Sequence, residues 1–249
     1  MQGKYLLINN NNTRTKFALA DENELLDDRA IKTSNVSIEC IAEVIAGWEY
    51  ESVVLASVVP RDIPTLIESQ AGYPMIEVGH EINLGVNVDF PKPQSIGADR
   101  LANAAAVVDV IDQQPVIVVD FGTAVTFDIV DQSPAYIGGV IAPGLESMTR
   151  YLHHRTALLP KIDIREPDSA IGKSTKQAML SGAYHGYRGL VIEIINQIQS
   201  ELSAKAKIFA TGGYAELISQ DLSVIDTVDP LLTLKGMQKI ARLNKFSKA

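Results

Sequence analysis

Three short apolar runs open the chain, Lys4 to Ile8, Thr15 to Ala20 and Glu24 to Ala30, and Asn-rich and Asp-Glu-Asn turns separate them. That punctuation predicts an antiparallel meander of three strands. Beyond it Ile38, Ile41, Ala42 and Ile45 recur at helical spacing, Ser52 to Ala56 is a β-rich run, Ile63 to Ser69 reads as a short helix and Met75 to Val78 as a strand. The order is β-β-β-α-β-α-β.

The same order then restarts. Strands are expected at Val116 to Val119, Val125 to Val130 and Ala135 to Ile141, followed by helical periodicity at Leu145, Met148 and Leu152. A long helix carries Met179, Ala183, Leu190, Ile194, Ile198 and Leu202. Lys207 to Ala210 is a strand, Tyr214 to Ser219 a short helix, Val224 to Ile225 a strand and Leu231 to Leu243 a last helix. Between the copies, Pro91 and Pro93 interrupt regular structure, and the alanine-rich stretch from Asp99 to about Ile111 reads as helix. The break at Asp112-Gln113-Gln114-Pro115 divides the chain into an expected N-terminal domain, 1–112, and a C-terminal domain, 113–249. Two similar α/β lobes with a ligand cleft between them are the expected architecture.

Composition narrows the chemistry. The chain has 249 residues with 22 Lys+Arg against 30 Asp+Glu, a net charge of −8, and no long basic run. That balance argues against a nucleic-acid binder or a membrane-surface binder, both of which need a basic face. The single cysteine, Cys40, lies in an apolar-periodic stretch and reads as a buried, inert thiol. The first apolar run is too short for a signal peptide and no run approaches a membrane span, so a cytoplasmic protein is expected.

Glycine corners carry the candidate chemistry. Val116 to Val119 runs into Asp120-Phe121-Gly122-Thr123, a carboxylate at a strand end, a glycine in a tight turn and a hydroxyl. Backbone N–H groups at such a turn approach phosphate closely and the carboxylate holds a cation, although an ordinary hairpin has the same composition. Gly138-Gly139 through Gly144 and Thr211-Gly212-Gly213 form two further strand-to-helix corners, where helix N-termini favour anions. Asp99-Arg100 opens the alanine-rich helix; Asp99 reads either as a general base or as a plain cap. The adjacent His153 and His154 diverge by about 100 degrees on a helix and read as surface polar residues rather than joint metal ligands.

Together these motifs resemble the type III pantothenate kinase family, nearly end to end. The resemblance rests on Gly97-Ala98-Asp99-Arg100, Asp120-Phe121-Gly122-Thr123-Ala124, Gly138 to Gly144, Leu158-Leu159-Pro160, Ile171 to Thr175 with Ser181-Gly182, Thr211-Gly212-Gly213 and Asp229 to Gly236. It implies two ribonuclease H-like domains in an actin-like kinase architecture and ATP-dependent phosphorylation of pantothenate to 4′-phosphopantothenate, the first step of coenzyme A biosynthesis. It further implies Asp99 as the base, and Phe90, Gly97, Ala98, Arg100 and Thr175 as neighbours of pantothenate. Asn9, Asn11, Asn12, Thr13, Lys16, Thr123, Gly212 and Gly213 would lie by the nucleotide. Asp120 would hold a monovalent cation, potassium or ammonium, and Mg2+ would accompany ATP. A homodimer sharing its sites across the interface is implied too.

Two positions depart from the family pattern. Its first phosphate motif reads Asp-x-Gly-Asn-Thr with a Lys three residues on, whereas this chain has Asn9-Asn10-Asn11-Asn12-Thr13 and Lys16. Asn11 in place of Gly is the milder change, since asparagine tolerates positive φ. Asn9 in place of Asp removes a charge where magnesium and the phosphates should meet. On that ground the alternative is a catalytically impaired relative acting as a pantothenate-binding or regulatory protein. Phe90 stands where the family usually has a tyrosine, a loss of one hydrogen bond worth about 0.5–1.5 kcal/mol.

Overall fold

The same strand order is built twice. The computed structural model describes residues 3–59, 73–112, 114–220, 222–244 and 246. Strands β1 (Tyr5–Asn10), β2 (Arg14–Ala20), β3 (Leu25–Lys32), β4 (Ser52–Ser57) and β5 (Met75–Glu77) form a sheet of order β3-β2-β1-β4-β5. β1 pairs antiparallel with β2 and β2 with β3, while β1 to β4 and β4 to β5 are parallel. In the second half β7 (Val116–Phe121), β8 (Ala124–Val130), β9 (Ala135–Pro143), β10 (Lys207–Thr211) and β11 (Thr227–Val228) repeat the order as β9-β8-β7-β10-β11. β7 is antiparallel to β8 and parallel to β10, which is parallel to β11. This duplicated α/β arrangement is the ribonuclease H-like fold.

The chain folds as two compact units. The first comprises Met1–Val110, Pro134–Ile137 and Leu231–Ala249; the second, Ile111–Ser133 and Gly138–Pro230. In the first unit one sheet face buries Leu6, Ile8, Phe17, Val53 and Leu55 with Ile41 of helix α1 (Ile38–Val44), which Ser37 caps through Cys40 N–H. α2 (Ala98–Val107) and α6 (Leu232–Leu243) pack on one another, and both contact the sheet. α2 forms because alanine dominates it, a sequence with little side-chain entropy to lose. A two-residue strand β6 (Asn87–Val88), which no sequence pattern announces, pairs parallel with Ala135 and Tyr136 at the start of β9. In the second unit Ile117, Val119, Phe121 and Phe127 pack with Tyr184, Tyr187, Val191 and Ile195 of the long helix α4 (Thr175–Glu201). α3 (Leu145–Arg155) and α5 (Ala215–Ser219) complete that unit's helices among the described residues.

Most expected elements stand within two or three residues of their predicted ends, and four readings change. The strand expected at Val224 to Ile225 lies at Thr227–Val228 instead. Asp226 is what starts the pairing: its N–H donates to Ile208 O at 3.0 Å and its Oδ2 accepts from Ile208 N–H at 2.8 Å, while Val224 and Ile225 turn into the core. The alanine-rich helix ends at Val107 and tightens into a 3-10 turn over Val108–Val110. Cys40 is half-buried rather than buried, because Ile41 is the residue α1 turns inward. Asn11 does not have positive φ, so its replacement of glycine costs the backbone nothing. The helix expected at Ile63 to Ser69 lies outside the described residues. Among the described residues no helix is long and apolar enough to cross a membrane.

Candidate functional site

In the first unit the turn after β1 is pinned by polar side chains. Asn10 points to the α1 side of the sheet, where Oδ1 accepts from Thr15 Oγ1 at 2.9 Å and Nδ2 donates to Ser57 Oγ at 3.1 Å. Thr33 Oγ1 donates to Asn11 O at 2.5 Å, and Asn11 N–H donates to Arg14 O at 3.2 Å. Asn9 lies on the opposite face, because successive strand residues alternate. It is 2% exposed, stands directly across the ladder from Lys16, and its Oδ1 has no hydrogen-bond partner among the described residues. Asn11 Oδ1 is likewise buried without a partner there. Asn12 and Thr13 are exposed at the tip.

Asp99 is brought to the same end of this unit. Val58 follows β4 and donates its N–H to Asn10 O at 3.1 Å, and its Cγ1 lies 3.4 Å from where a side chain on Gly97 would begin. Gly97 caps α2, and a Cβ there would sit 2.7 Å from Asp99 Oδ1. The missing side chain lets the carboxylate fold back over the helix start, where Oδ1 accepts from Arg100 N–H at 2.8 Å. Burial pushes the Asp99 carboxyl above the usual carboxylate range, against the opposing pull of the Arg100 N–H and guanidinium. A partly desolvated carboxylate of raised basicity is suited to take a proton from a bound hydroxyl.

Arg100 extends over the ring of Tyr136, 5.7 Å from its centroid, and Phe90 meets the same ring edge-on at 6.2 Å. Tyr136 is fully buried and belongs to the first unit, so Phe90, Arg100 and Tyr136 form one cluster. The sequence reading missed Tyr136. Its position at the start of β9 carries no motif, and only the β6 pairing brings Phe90 to it.

In the second unit the three glycine corners converge. Gly144 N–H donates to Thr123 O at 3.1 Å and Ser147 Oγ donates to the same oxygen at 2.8 Å, which ties the β7–β8 turn to the start of α3. A Cβ on Gly144 would collide with the backbone oxygens of Gly122 and Thr123. Gly212 has φ +94, and a Cβ there would fall 2.5 Å from Asp120 Oδ1 and 2.6 Å from Phe121 N. Only glycine permits that approach. Thr211 is the ladder partner of Asp120, so their side chains share a face; Thr211 is 1% exposed and its Oγ1 has no hydrogen-bond partner among the described residues. It is a second residue the sequence reading missed, although it precedes the Gly-Gly pair. Tyr187 stands near Asp120, and burial raises its phenol above the usual value.

Thr175 is the first residue of α4, exposed, beside the cap made by Ser174 Oγ with Gln177 N–H. Gly172 is pressed against the backbone of Gln177 and Ala178, and Ser181 Oγ donates to Ala170 O at 2.6 Å, so the segment leading to Thr175 is fastened to its own helix. His153 Nδ1 bonds Leu159 O at 2.8 Å. Among the described residues no group of three or more His, Cys, Asp or Glu could hold a metal ion.

Sequence comparison converges on one family. The sequence model of type III pantothenate kinase matches residues 5–197. The type III pantothenate kinase of Akkermansia muciniphila is 48% identical over 241 residues, covering 96% of this chain and 99% of its own. That of Methylacidiphilum infernorum is 41% identical over 240 residues, covering 96% and 88%. In structure, a Campylobacter jejuni protein described as a Baf family transcriptional activator is similar at TM-score 0.63 and 20% identity, covering 95% of this chain and 97% of its own.

Proposed function

The chain belongs to the type III pantothenate kinase family, and from that premise we propose roles for the two clusters just described. The reaction is transfer of the γ-phosphoryl group of ATP to the primary hydroxyl of pantothenate, the first step of coenzyme A biosynthesis. Asp99 is the base. An alcohol does not ionise in advance of a loose phosphoryl transfer, so a carboxylate that orients the hydroxyl and takes its proton late suffices. The fold-back over Gly97 and the raised basicity of Asp99 carry this assignment. Arg100, held against Tyr136, is the cation offered to the anionic acceptor, and Gly97, Ala98, Phe90 and Thr175 are its further neighbours.

In the first unit Asn9, Asn11, Asn12, Thr13 and Lys16 offer nucleotide phosphates amides, hydroxyls and one ammonium, and in the second Thr123, Gly212 and Gly213 offer them backbone N–H groups and a hydroxyl. Asp120 suits a monovalent cation, potassium or ammonium. A carboxylate beside the Thr211 hydroxyl, which has no partner among the described residues, offers hard oxygen donors, and a bound cation would supply positive charge against the developing phosphoryl charge. A regulator that binds pantothenate without turnover was suggested by Asn9 alone, and no other residue favours it.

A homodimer is supported by apolar side chains left exposed in the second unit. Met148, Tyr151 and Leu152 share one face of α3, and Ile141 and Leu158 flank it in sequence at 62% and 90% exposure. In sequence, residues 1–112 and 113–249 each carry one copy of the repeated strand order, although residues 134–137 and 231–249 of the second copy belong to the first compact unit, and the free Cys40 suits a cytoplasmic setting. The experiment is pantothenate-dependent ADP release with Mg-ATP in potassium, ammonium or sodium. Turnover by the wild type that Asp99→Asn loses by about 10²–10⁴-fold is expected; equal rates in the two proteins would remove Asp99 from the chemistry.

A further inference from the structure

The first turn does not fit the divalent ion that a kinase needs with ATP. From Asn9 to Lys16 the chain supplies four amides, two hydroxyls, Arg14 and Lys16, and no carboxylate. Asn10 is spent on Thr15 and Ser57, on the other face of the strand. What the strands themselves present on the face of Asn9 is cationic, and the acid brought to the same end, Asp99, is turned back onto Arg100 N–H at the start of α2. Lys16 lies directly opposite Asn9, Arg14 follows on the same face of β2, and Lys32 lies opposite Arg14 across the next ladder. The acids of β3, Asp27 and Asp28, pair with the far end of β2, at Leu19 and Ala18. Divalent magnesium demands anionic oxygen and gives up its water reluctantly, so neutral amides among lysines and arginines are a poor offer. Yet the buried amide oxygens of Asn9 and Asn11 have no partner among the described residues, which marks the place as made to meet something.

We propose that this turn, read above as holding phosphate, contributes no ligand to a divalent ion: the metal enters and leaves as part of the nucleotide complex, and the protein grips the phosphates. This rests on the kinase reading. An amide can present either its oxygen or its NH2, so Asn9 and Asn11 donate to phosphate oxygens by a half-turn of the side chain, an option a carboxylate at position 9 would not have. The three basic residues then supply the field that attracts the polyanion.

The wild-type protein tests this without any variant. Calorimetry with ATP is run once with excess Mg2+ and once with excess EDTA. A phosphate-gripping turn keeps ATP affinity within about tenfold when the metal is removed, roughly 1.4 kcal/mol. A loss of a hundredfold or more would overturn the proposal, since it would mean the metal carries the contact. If ATP binds in neither condition, the kinase reading itself fails, which is a different result. A second arm follows the electron paramagnetic signal of free Mn2+ without nucleotide. Wild type should leave it unchanged at Mn2+ concentrations where Asn9→Asp removes it by saturable binding. Saturable binding by the wild type that Asn9→Ala abolishes would make Asn9 a metal ligand and overturn the proposal. Thermal melts of both variants establish that they are folded.

Discussion

Asp99, the proposed base, would serve chemistry at the expense of stability. Its carboxyl is raised in the folded protein, so between the unfolded value, about 3.9, and the folded value the native state binds more protons than the unfolded chain. Stability therefore falls as pH rises through that window, and the cost is fully present above it. Asp99→Asn removes the cost while its Oδ1 can still accept from Arg100 N–H. The variant should melt higher than wild type at neutral pH, and the difference should vanish as pH falls below about 4. A lower melting temperature at pH 7 would contradict this. The same shift places the acid limb of kcat/KM above the ordinary carboxylate range. Gly212 makes the complementary case, where the constraint is space. Gly212→Ala forces a methyl into Asp120 Oδ1 and Phe121 N at a left-handed φ, a strain of about 1–3 kcal/mol. If Asp120 holds a monovalent cation as proposed, its displacement should raise the concentration of potassium or ammonium needed for half-maximal activity about tenfold or more. An unchanged cation response would separate Asp120 from the ion.

Elements were legible where local chemistry decides them. Both meanders announced themselves through turn residues between apolar runs, and α2 through its alanines, because propensity and periodicity are properties of neighbours in sequence. What stayed hidden depends on distant partners. β11 begins where Asp226 can bond Ile208, not where the apolar pair lies, and Tyr136 joins Phe90 and Arg100 only through the β6 pairing. The candidate site was legible as a set of motifs, the glycine corners and the Asp-Arg pair, whereas Thr211 and Tyr136 join it only through strand pairing. The crossing of α2 and α6 was hidden in the same way. Gly236 lies against the backbone of Ala102, so close that a Cβ would overlap its carbonyl oxygen, and Thr233 Oγ1 donates to the buried Asn103 at 2.8 Å. Gly236→Ala should push the helices apart and cost about 1–3 kcal/mol. Because α2 carries Asp99, KM for pantothenate should change with it; a variant with wild-type melting and kinetics would show that the crossing has slack.

At the scale of the molecule, a duplicated strand order coexists with a chain that does not divide in two by one cut. Helix α6 comes last in sequence yet belongs to the first unit, where it packs on α2, β1 and β4. Its Leu232, Leu234, Met237 and Ile240 are all buried, each at 4% exposure or less. Burial of one such side chain is worth about 1.5–3 kcal/mol, so four of them together rival the roughly 5–15 kcal/mol that holds a whole domain folded. Ending the chain after Pro230 should therefore unfold the first unit while sparing the second, whose strands and helices all precede that point. Amide hydrogen exchange on the truncated protein should show β1, β4 and α2 unprotected and β7, β10 and α4 still protected. Protection retained in β1 and α2 would mean that the sheet and α1 suffice to fold the first unit. Adding back residues 231–249 through a linker from Asp112 should restore a cooperative melt to residues 1–112, since that fragment then regains the helix that its own sequence does not encode and lacks only the segment 134–137, whose Tyr136 packs on Phe90 and Arg100.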